Sequence, residues 1–459
     1  MKEHKRQWEV FAFYDKTDIE EKLETMAAQG WLIEQPGNLF WRYRRMEPKQ
    51  LHFCVTYFPN ASEFDPRPTD GQQQMEDFCA RDGWILAARW GQMQIFYNEQ
   101  ENPVPIETDP VTQVETIHRA MKKNMLPLHF LLLVLCVYQL GFTGWQFLNS
   151  PVDFLATASK LLMVPAWLLI LLPILLEICW YFRWHRNAVV AAENGVFLEL
   201  KRNRAASFLL LGISAVMIVL SVASMGVVSW FVLLWMSLLV APTVVVRTLN
   251  KWMKNKGASR NINRTVTLGA AFVLTIVLIG LFGAIILRSD ISFGEPKPVG
   301  TYDFNGWEMD VYADEMPLHV QDLTDTTCSD WSTHARKEET FLAANTEYRQ
   351  VALTQDRSVP NLEYIVTQIK VPFLYDYCKS SLVESRQDVI RDGEVLLEDH
   401  YDAIDAAPWQ AQEAYRVYWS GSYLNKYLLC YEDTIVEIHF DWEPTAEQIQ
   451  IVAEKLGGK

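Results

Sequence analysis

Five apolar stretches fill the middle of this chain, at residues 126–148, 161–182, 205–223, 227–246 and 265–287. Each has close to the roughly 20 residues needed to cross a bilayer core. Polar segments flank the block on both sides. Such a chain cannot bury its apolar surface in one water-soluble core. The expected fold class is a multi-domain membrane protein, with the lipid bilayer as its first partner. Residues 1–120 are expected to form an N-terminal α+β domain, residues 121–287 a five-helix transmembrane bundle, and residues 288–459 a C-terminal α+β domain. Residues 1–8 are polar and lack the apolar run of a cleaved signal, so the first span is expected to direct insertion.

Charge divides along the same lines. Residues 1–125 carry 15 basic and 20 acidic residues, residues 126–287 carry 12 and 4, and residues 288–459 carry 14 and 32. The acidic balance of the last segment argues against a nucleic-acid partner, because phosphate binding needs clustered Lys and Arg.

Basic residues also alternate across the spans. Arg119, Lys122 and Lys123 precede the first span. Arg183, Arg186, Lys201, Arg202 and Arg204 follow the second, and Arg247, Lys251, Lys254, Lys256, Arg260 and Arg264 follow the fourth. The other connections offer only Lys160, the uncharged Ser224-Met225-Gly226, and Arg288. Basic loops stay on the cytoplasmic side. The expected topology is therefore a plasma-membrane protein with its N-terminus inside and its C-terminal domain outside. Residues 205–246 hold no charged side chain. As one helix they would run about 63 Å, twice a bilayer core, so a hairpin at 224–226 is predicted.

The N-terminal domain reads as a duplication. Ala27-Ala28-Gln29-Gly30-Trp31-Leu32 recurs 53 residues later as Ala80-Arg81-Asp82-Gly83-Trp84-Ile85. The first copy reads as a strand at 8–14, a helix at 18–29 that Gly30 ends, and strands at 31–34 and 40–45. The second reads as a strand at 51–58, a helix at 72–81, and strands at 84–90 and 93–98. Two strand–helix–strand–strand repeats predict one sheet with two helices on one face.

The helix at 18–29 and its exit Met26-Ala27-Ala28-Gln29-Gly30-Trp31-Leu32, followed by a block of spans, resemble the domain of unknown function 2812 family of bacterial membrane proteins. That resemblance implies the architecture and supplies no catalytic residue. Members also look like proteins encoded near PadR-type transcription regulators, which implies a stimulus-linked role. The duplicated layout is similar to ligand-binding domains of the GyrI-like type, which hold small molecules between their halves. On that likeness Trp41, Tyr43, Trp90 and Tyr97 are candidate ligand-binding residues. Filling a small core is the competing use of such aromatics, above all for Trp31 and Trp84.

Glu177 is the one acidic residue inside a span. Intramembrane carboxylates are functional candidates, but this one lies six residues before Arg183 and is expected to anchor at the interface. Pro165 and Pro173 share its helix, and Pro173 is expected to kink it. In the C-terminal segment, strands are predicted at 307–312, 348–353, 364–371, 414–419, 426–431 and 434–441. Helices are predicted at 333–343, 375–385 and 445–456, the last capped by Thr445 and Gln448. The acidic groups Asp322, Asp325 and Asp330, and Glu398, Asp399, Asp402 and Asp405 with His400, lack the order of a calcium loop. The seven cysteines form no Cys-x-x-Cys pair, and a bridge among Cys328, Cys378 and Cys430 is left open.

No catalytic set, metal site or cofactor motif is expected. The leading expectation is a bacterial sensor or regulatory protein with an extracytoplasmic sensing domain and a cytoplasmic N-terminal domain that binds a small apolar ligand or a regulatory protein. A transport or resistance component and a membrane-bound hydrolase are the alternatives.

Overall fold

The structure is a computed structural model that describes residues 3–9, 11, 15–37, 40–199, 205–224, 240–288, 298–326, 328–356, 359–391 and 394–457. Its chain divides into two compact units. One comprises Met1–Tyr138, Leu168–Ser214 and Phe231–Ile291, and the other Gln139–Trp167, Ala215–Trp230 and Ser292–Lys459.

The first unit begins with β1 (His4–Trp8), α1 (Lys16–Ala28), β2 (Trp31–Gln35) and β3 (Phe40–Arg45), then β4 (His52–Tyr57), α2 (Asp70–Arg81), β5 (Ile85–Trp90) and β6 (Met93–Asn98). The repeat is thus present, but as two three-stranded antiparallel sheets ordered β1-β3-β2 and β4-β6-β5. One continuous sheet was the expectation. β2 and β5 lie side by side without a hydrogen-bonded ladder. Each carries a register shift, between Ile33 and Gln35 and between Leu86 and Ala88, positions that correspond under the 53-residue offset. A bulge bends its strand and breaks regular pairing, which accounts for the split at this seam. Gly30 and Gly83, at φ +82° and +80°, end the two helices in the left-handed region.

The first strand also lies earlier than its apolar alternation suggests, at His4–Trp8 and not 8–14. Its pairing with β3, from His4 opposite Arg44 to Trp8 opposite Phe40, sets its limits. β1 is a sheet edge, where charged side chains are tolerated. Residues 10 and 12–14 lie outside the described residues.

Among the described residues, four helices are long and apolar enough to cross a membrane, where five were expected. They are Met125–Asn149 within α3 (Pro110–Asn149), Ala158–Glu193 (α5), Ala206–Ala223 within α6 (Ala205–Ala223), and Arg260–Leu281 within α8 (Arg260–Arg288). Of the expected span 227–246, residues 227–239 lie outside the described residues, and the rest opens α7 (Val240–Asn255). With 40 residues, α3 is about 60 Å long, twice a bilayer core. Its surplus turns pack into the first unit. Val114, Ile117, Ala120 and Met121 join one core with Ile19, Leu23, Trp41 and Ile95, and Tyr181, Trp184, Ala188 and Ala192 of α5 complete it.

The second unit holds α4 (Pro151–Ala156), the hairpin β7 (Gly300–Phe304) and β8 (Trp307–Val311), and the one-turn α9 (Val320–Leu323). A seven-stranded antiparallel sheet follows. Its strands are β9 (Trp331–Glu339), β10 (Ala343–Ala352), β11 (Leu362–Ile369), β14 (Asp399–Ile404), β15 (Glu413–Trp419), β16 (Ser422–Cys430) and β17 (Thr434–Phe440). Their order is β14-β15-β16-β17-β11-β10-β9. The small hairpin β12 (Val389–Arg391) and β13 (Glu394–Leu397) stands apart from it. α10 (Tyr375–Val383) packs over Leu428, Cys430 and Ile435. α11 (Ala446–Leu456) packs over the opposite side chains Leu429, Val436 and Ile438. Alternation along the strands thus feeds two apolar layers.

The helix predicted at 333–343 is instead strand β9. It pairs with β10 from Ala344 opposite Glu339 to Ala352 opposite Trp331. Its second half, Ala335-Arg336-Lys337-Glu338-Glu339, favours helix in isolation, but nine cross-strand pairs override that weak preference. α11 keeps its expected cap, with Thr445 and Gln448 in a reciprocal capping box.

Candidate functional site

The two repeats differ in the loop between their first strand and their helix. In the second copy it runs over residues 58–69, twelve residues against seven at 9–15 in the first copy. This longer loop carries a concentrated set of polar contacts. Arg260, at the start of α8, grips Asp65 with two parallel bonds, Nε to Oδ1 at 2.5 Å and Nη2 to Oδ2 at 2.7 Å. The same guanidinium donates to the Asn60 carbonyl at 2.7 Å. Asn263, fully buried, donates to the Phe64 carbonyl at 3.0 Å and to Asn250 Oδ1 at 2.8 Å. Asn250 in turn donates to the Glu63 carbonyl at 3.1 Å. From α3, Lys123 donates to the Pro59 carbonyl at 2.8 Å. Burial, then the neighbouring Arg260, pulls the Lys123 ammonium below its usual range.

These bonds join backbone carbonyls of a loop to side chains of three helices. A fork such as Arg260–Asp65 fixes orientation as well as distance. Inside the loop, Gln92 of the β5–β6 turn donates to the Pro59 carbonyl at 2.8 Å. The loop is therefore held from the sheet on one side and from the helices on the other.

A second cluster lies where α1 covers the free edge of β4. Glu20 Oε1 accepts from the Val55 amide at 2.7 Å, and Glu24 Oε1 from the Phe53 amide at 3.4 Å. Carboxylates thus occupy an edge that would otherwise offer unpaired donors. Burial lifts the Glu20 carboxyl to about 7, against the opposing pull of Lys16. Lys16 donates to Glu107 at 3.3 Å. Burial draws Lys16 down, but the Cys54 thiol, Glu107 and Glu20 outweigh it and leave it above its usual value. Burial also pushes the Cys54 thiol up to about 12, which makes it an inert core thiol.

The sequence-predicted aromatics divide between the two sheets. Trp41 is 1% exposed and donates its ring N–H to the Gly37 carbonyl at 2.8 Å. Tyr43 is fully buried, and its hydroxyl has no hydrogen-bond partner among the described residues. Both fill the core shared with α1 and α3. Trp90 and Tyr97 are half-buried against the same core. Trp84 is buried, and Trp31 is half-buried with the Arg45 guanidinium 5.0 Å from its ring centre.

Glu177 is half-buried and lines a narrow notch between α3 and α5 with Met121, Met125, Leu126, His129, Ile178 and Tyr181. α5 runs as helix through both Pro165 and Pro173.

In the second unit, His400 is set between carboxylates, with Nδ1 2.7 Å from Asp388 and Nε2 3.5 Å from Asp402. The Asp388 hydrogen bond holds the imidazole above its usual pKa. Each ring nitrogen thus faces a carboxylate, and Nδ1 alone is at hydrogen-bond distance. Asp322 accepts from the His319 amide and pairs with Lys455. Among the described residues no group of three or more His, Cys, Asp or Glu side chains is placed to hold a metal. All seven cysteines are free thiols.

Asp65, Asn250, Arg260 and Asn263 were not singled out as site residues from the sequence. Arg260 entered only as one of six basic residues in a loop. The usable signal was the five extra residues in the second repeat.

No curated protein and no solved structure matches the chain. The model of a family described as protein of unknown function (DUF2812) matches residues 15–131, which take in α1, both sheets except β1, and the start of the first apolar helix. This N-terminal quarter of the chain belongs to that DUF2812 family.

Proposed function

We propose that this chain is a multi-pass bacterial membrane protein of the sensor or regulatory kind, in which a cytoplasmic N-terminal domain is mechanically coupled to the membrane helices. The observation that carries the reading is the clasp of the 58–69 loop by Arg260, Asn263, Asn250 and Lys123. On this reading a change of state in the duplicated domain that displaces this loop is passed through these bonds to α3, α7 and α8. The shared core of the domain with α3 and α5 acts in the same direction. Lys122, Lys123, Arg183, Arg186, Arg247, Lys251, Lys254, Lys256, Arg260 and Arg264 favour the cytoplasm for this end of the helices. On this reading the domains divide at about residues 120 and 287, and the last one is extracytoplasmic. The partner is a small apolar ligand or a regulatory protein at the N-terminal domain.

The test compares wild type, a deletion and Arg260→Ala in the native host. The regulatory reading expects the variant to shift a defined set of transcripts shared with the deletion, at normal protein level. If transcripts stay unchanged while uptake or efflux of a compound panel changes, the protein is a transport component and the proposal fails.

A further inference from the structure

We infer that Phe341 and Phe373 form a footing of the second unit that sits in the lipid interface at its end of the membrane helices. The inference rests on the membrane-spanning reading of those helices. Both rings are almost bare, at 78% and 82% exposure. Isolated exposed apolar side chains are ordinary on soluble proteins. These two are not isolated, because they tip two adjacent loops at one end of the large sheet. Phe341 lies at the β9–β10 turn, closed by the Thr340 amide donating to the Ala343 carbonyl at 2.9 Å. Phe373 lies in the short turn Pro372–Leu374 just after β11. The Lys370 amide donates to the Leu342 carbonyl at 2.9 Å and ties the loops together.

What fixes their level is α4. Val152, Leu155 and Ala156 of this helix pack with Ala343, Ile369 and Cys378, bordered by Phe147 of α3 and Leu161 of α5. Thr340 Oγ1 donates to the Leu155 carbonyl at 2.6 Å, and Thr157 Oγ1 to Glu338 at 2.5 Å. Thr340, the neighbour of Phe341, is thus bonded to the short link between two apolar helices. That link holds only residues 150–157 between the ends of the two spans. A group at its level meets headgroups, where rings are at home. Lys370 stands beside the two rings, bonded to Glu339 at 2.5 Å and to the Thr340 carbonyl at 2.7 Å. Its long stem suits the same interface, while its ammonium is held by Glu339 and the Thr340 carbonyl. The occupant of this apolar tip is therefore lipid.

An internal control exists in the same sheet. Trp419 and Tyr423 are also exposed, at 44% and 50%. They border the β15–β16 turn. That turn is at the sheet end away from Ala343, Ile369, Thr434 and Cys430.

The full-length protein is reconstituted in phosphatidylcholine vesicles with a diazirine photoreagent dissolved in the bilayer, irradiated, and mapped by peptide mass spectrometry. Peptides carrying Phe341 and Phe373 are expected to be labelled at least five-fold more than the peptide carrying Trp419 and Tyr423, alongside peptides from residues 125–149. Labelling of 125–149 with no excess at Phe341 and Phe373 overturns the footing alone. Absence of label from 125–149 as well overturns the membrane reading and the footing with it.

Discussion

Arg260 holds Asp65 through two parallel hydrogen bonds, although 195 residues separate them in sequence. The fork fastens the loop that is longer in the second repeat than in the first. Breaking it with Asp65→Ala is expected to raise amide exchange in residues 58–69 and in the α7–α8 connection together. A double-mutant cycle with Arg260→Ala should give a coupling of about 1 kcal/mol, as for well-aligned, partly exposed pairs. Additive effects of the two changes would show that the pair is incidental.

Glu20 makes the first unit sensitive to pH. Its folded carboxyl titrates near 7, above the usual 4.5. Between those values the folded state holds a proton that the unfolded chain has released. Stability from this group is thus present at low pH and is lost as pH rises towards and through about 7. The full shift corresponds to about 3 kcal/mol. In detergent, thermal unfolding of wild type is expected to fall between pH 5.5 and 8 more steeply than that of Glu20→Gln. Parallel curves would sink this assignment.

The paired glycines separate two costs. A Cβ at Gly30 would stand 2.9 Å from the Met46 carbonyl oxygen, which is backbone and cannot give way. At Gly83 it would meet the exposed Gln100 side-chain amide at 3.1 Å, which has room to turn aside, and the buried Asn98 amide at 3.3 Å, with no backbone atom as near. Both positions have positive φ, so alanine costs about 1 kcal/mol or more at either. Gly30→Ala is expected to destabilise more than Gly83→Ala. The reverse order of unfolding midpoints would contradict the contact argument.

Tyr43 discriminates core from pocket. Its buried hydroxyl lacks a partner among the described residues. Replacing it with phenylalanine removes an unsatisfied group without leaving a large cavity. Tyr43→Phe is therefore expected to be neutral or stabilising by up to about 1 kcal/mol. A destabilisation above that size would mean that the hydroxyl has a partner.

Periodic and repeated features were legible in the sequence. The Gly-Trp repeat led to both halves of the N-terminal domain, and β6 falls on its predicted residues, 93–98. Apolar length identified the four described helices that are long and apolar enough to cross a membrane. What escaped depended on contacts distant in sequence. β9 is strand because β10 lies beside it, although its own charges favour helix. The two-sheet split turns on single bulged residues in otherwise regular strands. The clasp joins residues 60–65 to 250–263, and no local pattern links such segments. Trp41 and Tyr43 show the limit of composition, since an aromatic cluster reads alike whether it lines a pocket or closes a core.

The seating of α4 sets an order of assembly during synthesis. Its apolar side chains leave the ribosome about 210–230 residues before Ile369 and Cys378, which cover them. At about 5–20 residues per second, that is a wait of roughly 10–45 s. If the flanking apolar helices span the membrane, over that interval they stand with an uncovered plug between them. The bilayer surface is the nearest shelter for it. The last domain then folds onto a template delivered in advance, so its closing step is timed by translation of the chain that lies between.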